Sequence, residues 1–325
     1  MMPPKPGPPP GPGPSRRQVA RRRIAAIVVL ILLLGGLGWL AVAAIGGGSS
    51  KPKAASSTLD TSSLLYSTVT RTTGGKTTET VIAMPKPFHI VFPEGFTVHD
   101  MAARVGAVKE IAEHERHVRP LLSSRGYLAA VRRASSPPGL RGKRTRREGF
   151  LFPATYEFFA KTTNAQLVQD QLSAFCENWA RVDLSYARRK NLTQYDVLII
   201  ASMIEKETLS PDERPLVSAV IYNRLHARMP IGIDATLRYG FNIPPTESIR
   251  ESQIESHNPY NTRKLPGLPP TPIANPGLAS MQAAAHPARV NYLYFVRKPD
   301  KKHHFFTASA KAFDEYEAAH GYGQH

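Results

Sequence analysis

The residue whose type and setting could do chemistry is Glu205. It closes the run Val197-Leu198-Ile199-Ile200-Ala201-Ser202-Met203-Ile204, which is apolar nearly throughout. A helix that is apolar all round is buried on most sides. A carboxyl group in such surroundings keeps its proton to higher pH, because burial disfavours the charged form. A general acid working near neutrality needs that property. Glu207 lies about 200° further round the helix, so the two glutamates form no side-by-side pair. A glutamate at a helix end is also common as the start of a solvated turn, and pattern alone favours that plainer reading.

A second constellation follows downstream: Asn223 after Tyr222, then Asp234-Ala235-Thr236, then Asn258-Pro259-Tyr260-Asn261-Thr262. The loop from Gly267 to Gly277 is stiffened by Pro269, Pro270, Pro272 and Pro276. Amide, hydroxyl and aromatic groups on a stiff loop suit a groove for sugars, which are held by hydrogen bonds and ring stacking. A loop this long without structure of its own more often serves function than mere connection. The 11 histidines make no metal pattern: His303-His304 is an adjacent pair on a strand, pointing to opposite faces, while His257 and His286 stand alone. No metal or cofactor is expected. The single cysteine, Cys176, excludes an intrachain disulfide framework.

The elements that must position these residues are readable. Phe88, Ile90 and Phe92 alternate as a short strand ended by Pro93-Glu94-Gly95. Thr97 and Asp100 form a capping-box-like helix start, and a second helical stretch runs around Val118–Val131. Leu167–Trp179 reads as a helix with Leu167, Leu172 and Phe175 inward, and Thr193 with Asp196 caps the helix that carries Glu205. Ser210-Pro211-Asp212-Glu213 reads as serine cap, proline at the first helical position and capping-box glutamate. Its inward stripe is Leu216, Val217, Val220 and Ile221. Tyr292–Val296 and His303–Phe306 make a hairpin around Pro299-Asp300, and Lys311–Ala319 is a last helix.

The net charge of +17 over 325 residues is concentrated in two places. Residues 1–23 and 116–147 hold basic residues and no acid, and the rest is close to neutral. Two basic blocks on a neutral body argue against nucleic acid as a partner, which needs a basic face on the folded domain. The segment 24–45 holds 22 residues without a charge. As a helix it spans roughly 33 Å, enough for a hydrocarbon core and longer than a signal peptide's apolar stretch, so it reads as an uncleaved anchor. Arg21, Arg22 and Arg23 precede it, which places the N-terminus inside and everything after Lys51 outside. Residues 1–23 read as a disordered cytoplasmic tail and 46–84 as an extracytoplasmic linker rich in Gly, Ser, Thr and Lys. Ser135–Arg147 reads as a long solvated basic loop, or else as an anion-binding surface facing lipid headgroups or acidic wall polymers.

The motifs together resemble the MltG-type (YceG-like) endolytic murein transglycosylases. The resemblance runs through Glu148-Gly149-Phe150-Leu151-Phe152-Pro153, Ala201-Ser202-Met203-Ile204-Glu205-Lys206-Glu207, Tyr222-Asn223-Arg224-Leu225, Asp234-Ala235-Thr236, Tyr260-Asn261-Thr262, Gly267-Leu268-Pro269-Pro270, Asn275-Pro276-Gly277 and Tyr292-Leu293-Tyr294-Phe295-Val296. It covers roughly residues 85–320 in the family's order, which is far more specific than any one motif. It implies an α+β chain: the membrane helix, a LysM-like subdomain with its basic loop over 85–147, and a mixed α/β catalytic domain over 148–325.

The resemblance also implies a lyase on peptidoglycan at the bacterial cell membrane. It would cut bonds between N-acetylmuramic acid and N-acetylglucosamine within glycan strands to leave 1,6-anhydro ends. The catalytic glutamate falls on Glu205, and Ser202, Asn223, Asp234, Thr236, Tyr260 and Asn261 are the candidate substrate-binding residues. Peptidoglycan strands, the cytoplasmic membrane and peptidoglycan synthases are the implied partners. The chain departs from the family pattern at Ala154, Gly232, Ile233, Ala235 and Phe313. The competing reading is a wall-binding membrane protein without turnover.

Overall fold

The computed structural model describes residues 64–73, 76–140, 147–208 and 210–322, with side chains from residue 86 onward. These residues all belong to one compact unit spanning 60–325. The expected tail and membrane helix, and residues 141–146 of the basic loop, lie outside the described residues. Among the described residues no helix is long and apolar enough to cross a membrane.

Two strands, β1 (Leu64–Thr73) and β2 (Lys76–Pro85), pair antiparallel with Leu64 opposite Pro85 and Thr73 opposite Lys76. Part of the expected 46–84 linker is therefore a ladder. The run is rich in threonine and valine, which favour strands.

Strand β3 (Phe88–Val91) is followed by helices α1 (Val98–Arg116) and α2 (Ser124–Arg133) and then by β4 (Thr155–Phe158). The strands β3 and β4 pair antiparallel, Phe88 opposite Phe158. Two strands 67 residues apart thus close one small β-α-α-β unit across the 147/148 boundary read from the sequence. Thr97 caps α1 with the reciprocal box: its Oγ1 accepts from Asp100 N, and its own amide donates to Asp100 Oδ2 at 2.9 Å. The second helix begins at Ser124, later than expected, because the Ser123 hydroxyl caps it by accepting from Gly126 N. Arg147 turns back, its Nε donating to Ala134 O at 2.7 Å and its Nη1 to Ser136 Oγ at 2.9 Å.

Helix α3 (Asn164–Trp179) buries Leu167, Leu172 and Phe175 as expected, and α4 (Ser185–Arg189) is a single turn. Helix α5 (Gln194–Glu207) runs through the middle of the unit. Thr193 accepts from Asp196 N at 3.1 Å and donates its own amide to Asp196 Oδ2 at 2.8 Å, which fixes the first turn. From Val197 to Ile204 every side chain is buried. Each Leu or Ile there contributes about 1.5–3 kcal/mol of burial, so the helix end is held where it is by the whole core.

The next helix departs from the sequence reading. Pro211–Glu213 forms one 3₁₀ turn and α6 runs from Arg214 to His226, with no side-chain cap from Ser210. Glu213 is instead buried against a partner 91 residues away. Its Oε1 accepts from His304 N at 2.8 Å, and its Oε2 lies 2.7 Å from His304 Nδ1. A buried charge-assisted contact outweighs an exposed cap.

Helices α7 (Asp234–Phe241), α8 (Glu251–Ile254) and α9 (Leu278–Ala285) follow, and α9 packs on α5 and α6. Strands β5 (Tyr294–Arg297) and β6 (His304–Thr307) form the expected hairpin, with His304 buried and His303 exposed, and α10 (Ala310–Ala319) closes it. The architecture is mixed α/β, with one hydrophobic core running from Ile90 to Ala285.

Candidate active site

Glu205 lies in the last turn of α5, half-buried, where the run of fully buried residues stops. Its Oε2 accepts a hydrogen bond from the Gly277 amide at 2.9 Å. Gly277 is the residue before the first turn of α9, so this donor also carries the favourable end of a helix dipole toward an anion. On the other side stands the turn after β3. Gly95 adopts the left-handed region (φ +78°), and a side chain there would come within 3.6 Å of Glu205 Cγ. The turn is stitched to the loop before α9 in both directions: Gly95 N donates to Asn275 O at 3.0 Å, and Asn275 N donates to Phe96 O at 2.9 Å. Lys206 Nζ adds a contact to Gly95 O at 3.3 Å.

That turn brings in a carboxyl group the sequence reading had assigned only to the end of a strand. Glu94 lies against Gly277: a Cβ on Gly277 would run into the Glu94 carboxyl group and lie 2.9 Å from its Cγ. The Glu94 carboxyl is pushed above its ordinary range first by burial, then by the nearby Glu205 charge, and Arg214 opposes the shift. Arg214, at the first turn of α6, is held by Ser280 Oγ at 3.2 Å from its Nε. No single-sequence signal links residues 94, 205 and 277. The only local cue was Pro93-Glu94-Gly95 itself, which also fits any tight turn.

Asn275 is the keystone of this junction. It is fully buried; its Oδ1 accepts from Gly149 N and Leu151 N, both at 3.0 Å, and its Nδ2 donates to Phe96 O and Glu148 Oε1, both at 2.9 Å. Glu148 is buried too. It accepts from Val98 N, the first amide of α1, at 3.0 Å, and its Oε2 lies 3.1 Å from the Tyr239 hydroxyl. Burial drives its pKa up to about 8. The Tyr239 hydroxyl can accept as well as donate, so the arrangement accommodates a protonated carboxyl.

Glu207 faces elsewhere. It borders a cavity of about 480 Å³ shared with Asp234, Arg263, Arg297, Tyr294 and Phe313. Burial and the neighbouring Asp234 charge push its pKa up to about 7, against Arg297, the Ala235 amide and Arg263. Asp234 is itself ion-paired with Arg263 Nε. Gly232 and Phe313 line the same cavity, so departures from the family pattern gather here, around Glu207 and away from the partners of Glu205.

The other candidate residues are placed as follows. Ser202 is buried, donating to Ile199 O at 2.7 Å and accepting from Ile273 N at 3.0 Å. Thr236 donates to Ile233 O at 2.7 Å and meets Thr262 Oγ1 at 2.9 Å. Tyr260 places its hydroxyl 2.7 Å from Thr271 Oγ1, and Asn261 donates to Ile254 O and Ser256 O at 2.7 and 2.8 Å. Asn223 donates to Val290 O and Tyr292 O at 3.0 and 2.9 Å, beside a surface cleft of about 600 Å³. Each of these side chains pins a loop to the core. The loop expected to line a groove is itself interior from Thr271 to Gly277, and it delivers the Gly277 amide to Glu205. Among the described residues no cluster of His, Cys, Asp and Glu could hold a metal ion.

The chain has known relatives. The chain is 31% identical over 246 residues to an endolytic murein transglycosylase of Streptococcus pneumoniae (strain R6), covering 71% of this chain and 44% of that protein. It is 34% identical over 151 residues to an endolytic murein transglycosylase of Bacillus subtilis, covering 46% of this chain and 42% of that one. The chain therefore spans less than half the length of these curated relatives. The crystal structure of a YceG-like protein from Listeria monocytogenes superposes with a TM-score of 0.59 at 26% identity, over 70% of this chain and 75% of that one. The profile of the YceG-like family matches residues 55–319, and with those boundaries enclosing every element of the Glu205 junction, the chain belongs to the YceG-like family.

Proposed function

We propose that the chain is a membrane-anchored endolytic peptidoglycan lytic transglycosylase with Glu205 as its catalytic residue. The observation that carries this is the setting of Glu205: a half-buried carboxyl group in the last turn of a buried helix, held by the Gly277 amide. Protonated Glu205 gives its proton to the leaving glycosidic oxygen as the bond to the anomeric carbon breaks. The resulting carboxylate takes the proton of the muramic acid 6-hydroxyl, whose oxygen closes the 1,6-anhydro ring on that carbon. Glu205 ends protonated as it began, and no water is consumed. The attacking hydroxyl belongs to the substrate, so its tethering replaces a second reactant, and one carboxyl group can serve both proton transfers.

The same proposal takes 24–45 as an uncleaved membrane helix with the N-terminus cytoplasmic, and 148–325 as the catalytic domain. The β3–α1–α2–β4 unit supports a LysM-like subdomain over 85–147, extended by β4. Peptidoglycan strands are the substrate, with the cell membrane and peptidoglycan synthases as partners. Ser202, Thr236, Tyr260 and Asn261 support the substrate groove from within, and Asn223 and Asp234 are the candidates with exposed surface. The deciding experiment incubates the full-length chain with uncrosslinked glycan strands and analyses the fragments by mass spectrometry. Internal cleavage with 1,6-anhydro-muramic ends is expected. Binding without cleavage would select the non-catalytic wall-binding reading instead. For topology, protease added to intact wall-stripped cells should degrade the large domain, and its full protection would overturn the orientation.

A further inference from the structure

We propose that Glu94 is the electrostatic partner of Glu205: the two carboxyl groups meet at Gly277, and the charge on each opposes ionisation of the other. The inference rests on the transglycosylase reading for its kinetic consequence, though not for the pairing itself. Both carboxyl groups converge on one residue. The Gly277 amide donates to Glu205 Oε2 at 2.9 Å, and the Glu94 carboxyl fills the space where a Gly277 side chain would stand. The approach is built in from both segments: Gly95 N donates to Asn275 O and Asn275 N donates to Phe96 O, docking a turn whose Gly95 holds a left-handed φ of +78°.

The charged groups around Glu94 are few. Helix α5 presents Glu205 and Lys206, whose Nζ reaches Gly95 O at 3.3 Å, and α6 presents Arg214. Helix α9 contributes the Gly277 amide and the Ser280 hydroxyl that holds Arg214. Carboxylates that share one neighbouring residue repel, so the charge of Glu205 raises the proton affinity of Glu94 and, by reciprocity, that of Glu94 acts on Glu205. Losing the charge of Glu94 removes the repulsion that opposes ionisation of Glu205. Glu94 acts through Glu205 and is a positioning residue in this scheme. It comes from the small β-α-α-β unit while Glu205 comes from the core helix, so the docking of that unit sets the protonation of the site.

Two measurements on the full-length chain test this. The first needs no activity: in protein labelled with ¹³C at glutamate side-chain carboxyls, the Glu94 resonance is assigned by its loss in Glu94→Gln, and its titration is followed in Glu205→Gln. The Glu94 titration should move to lower pH. An unmoved titration would overturn the pairing. The second is the pH profile of anhydro-end formation. In Glu94→Gln the alkaline limb should move to lower pH and the rate at pH 7.5 should fall about tenfold, with melting temperature and strand binding nearly unchanged. Glu94→Asp, which keeps the charge, should retain the limb. An unmoved limb in a folded Glu94→Gln protein would refute the role. If wild type makes no anhydro ends, the transglycosylase reading fails, and the titration still decides the pairing.

Discussion

Glu205 and Glu207 stand two residues apart on one helix and meet two different environments. Glu205 points to a junction of three chain segments: the Gly95 turn, the start of α6 and the start of α9. It receives a backbone amide and keeps solvent access. Glu207 points into a cavity where Asp234, Arg263 and Arg297 already form a charge network. Burial and the Asp234 charge push Glu207 up to about 7. What separates them is their partners. Glu205 takes the Gly277 amide from the start of α9 and faces the Gly95 turn, whereas Glu207 takes the Ala235 amide inside the cavity it shares with Asp234, Arg263 and Arg297. Network-bound groups such as Glu207 commonly show shifted titration for structural reasons.

The comparison breaks most sharply by mutation of the two glutamates. Glu205→Gln should abolish anhydro-end formation, a loss of about 10²–10⁴-fold or more, because the amide keeps shape but cannot donate and recover a proton. Circular dichroism and strand binding should stay near wild type. Glu207→Gln should stay within about tenfold, since it removes a charge from a network rather than the proton donor. A folded Glu205→Gln protein with near wild-type yield refutes the assignment, and an inactive Glu207→Gln beside an active Glu205→Gln inverts it.

A finer test touches neither glutamate. Gly277→Ala keeps the amide that Glu205 accepts from, and position 277 has ordinary φ near −77°, so the backbone tolerates alanine. The added Cβ meets the Glu94 carboxyl and must displace it. The expected result is about a tenfold loss of rate with a lowered alkaline limb, resembling Glu94→Gln, and a melting temperature within a few degrees of wild type. A loss equal to that of Glu205→Gln would mean that the methyl group blocks the strand itself rather than moving Glu94.

Much of this was legible in the sequence where the determinants are local. The capping boxes at Thr97 and Thr193 formed as their spacing required, and the apolar run from Val197 to Ile204 is buried all round. The 3.6-residue period alone turned Glu207 away from Glu205. What escaped depends on partners far along the chain. Glu94 meets Gly277 across 183 residues, and Glu213 leaves its expected cap for His304 across 91. The ladder of β1 and β2 was hidden for another reason: its alternation is largely among polar residues, so hydrophobic periodicity carries no signal there. The polar residues of the downstream motifs read as groove lining, yet Ser202, Thr236 and Asn261 are buried pins. Side-chain chemistry at a motif does not by itself say which way the side chain faces.

The smallest expected effect lies at Glu148, which ties α1, α7 and Asn275 together beneath the site. Its carboxyl titrates at about 8 in the folded chain, above the ordinary value of 4.5, because burial outweighs the hydrogen bonds it accepts. The folded state therefore holds a proton that the unfolded chain has released between those two values. Its contribution to stability is complete below about 4.5 and is lost as pH rises through about 8. Glu148→Gln imitates the protonated form: the amide carbonyl can accept from Val98 N and Asn275 Nδ2, and the amide nitrogen can donate to the Tyr239 hydroxyl. The variant does not titrate, so its melting temperature relative to wild type should climb as pH goes from 5 to 8. The titrations of Glu94 and Glu207 are common to both proteins and cancel in that difference. A flat difference, or one that falls with pH, would show that the three donors keep Glu148 ionised, and that the strut beneath the site is a buried carboxylate rather than a buried acid.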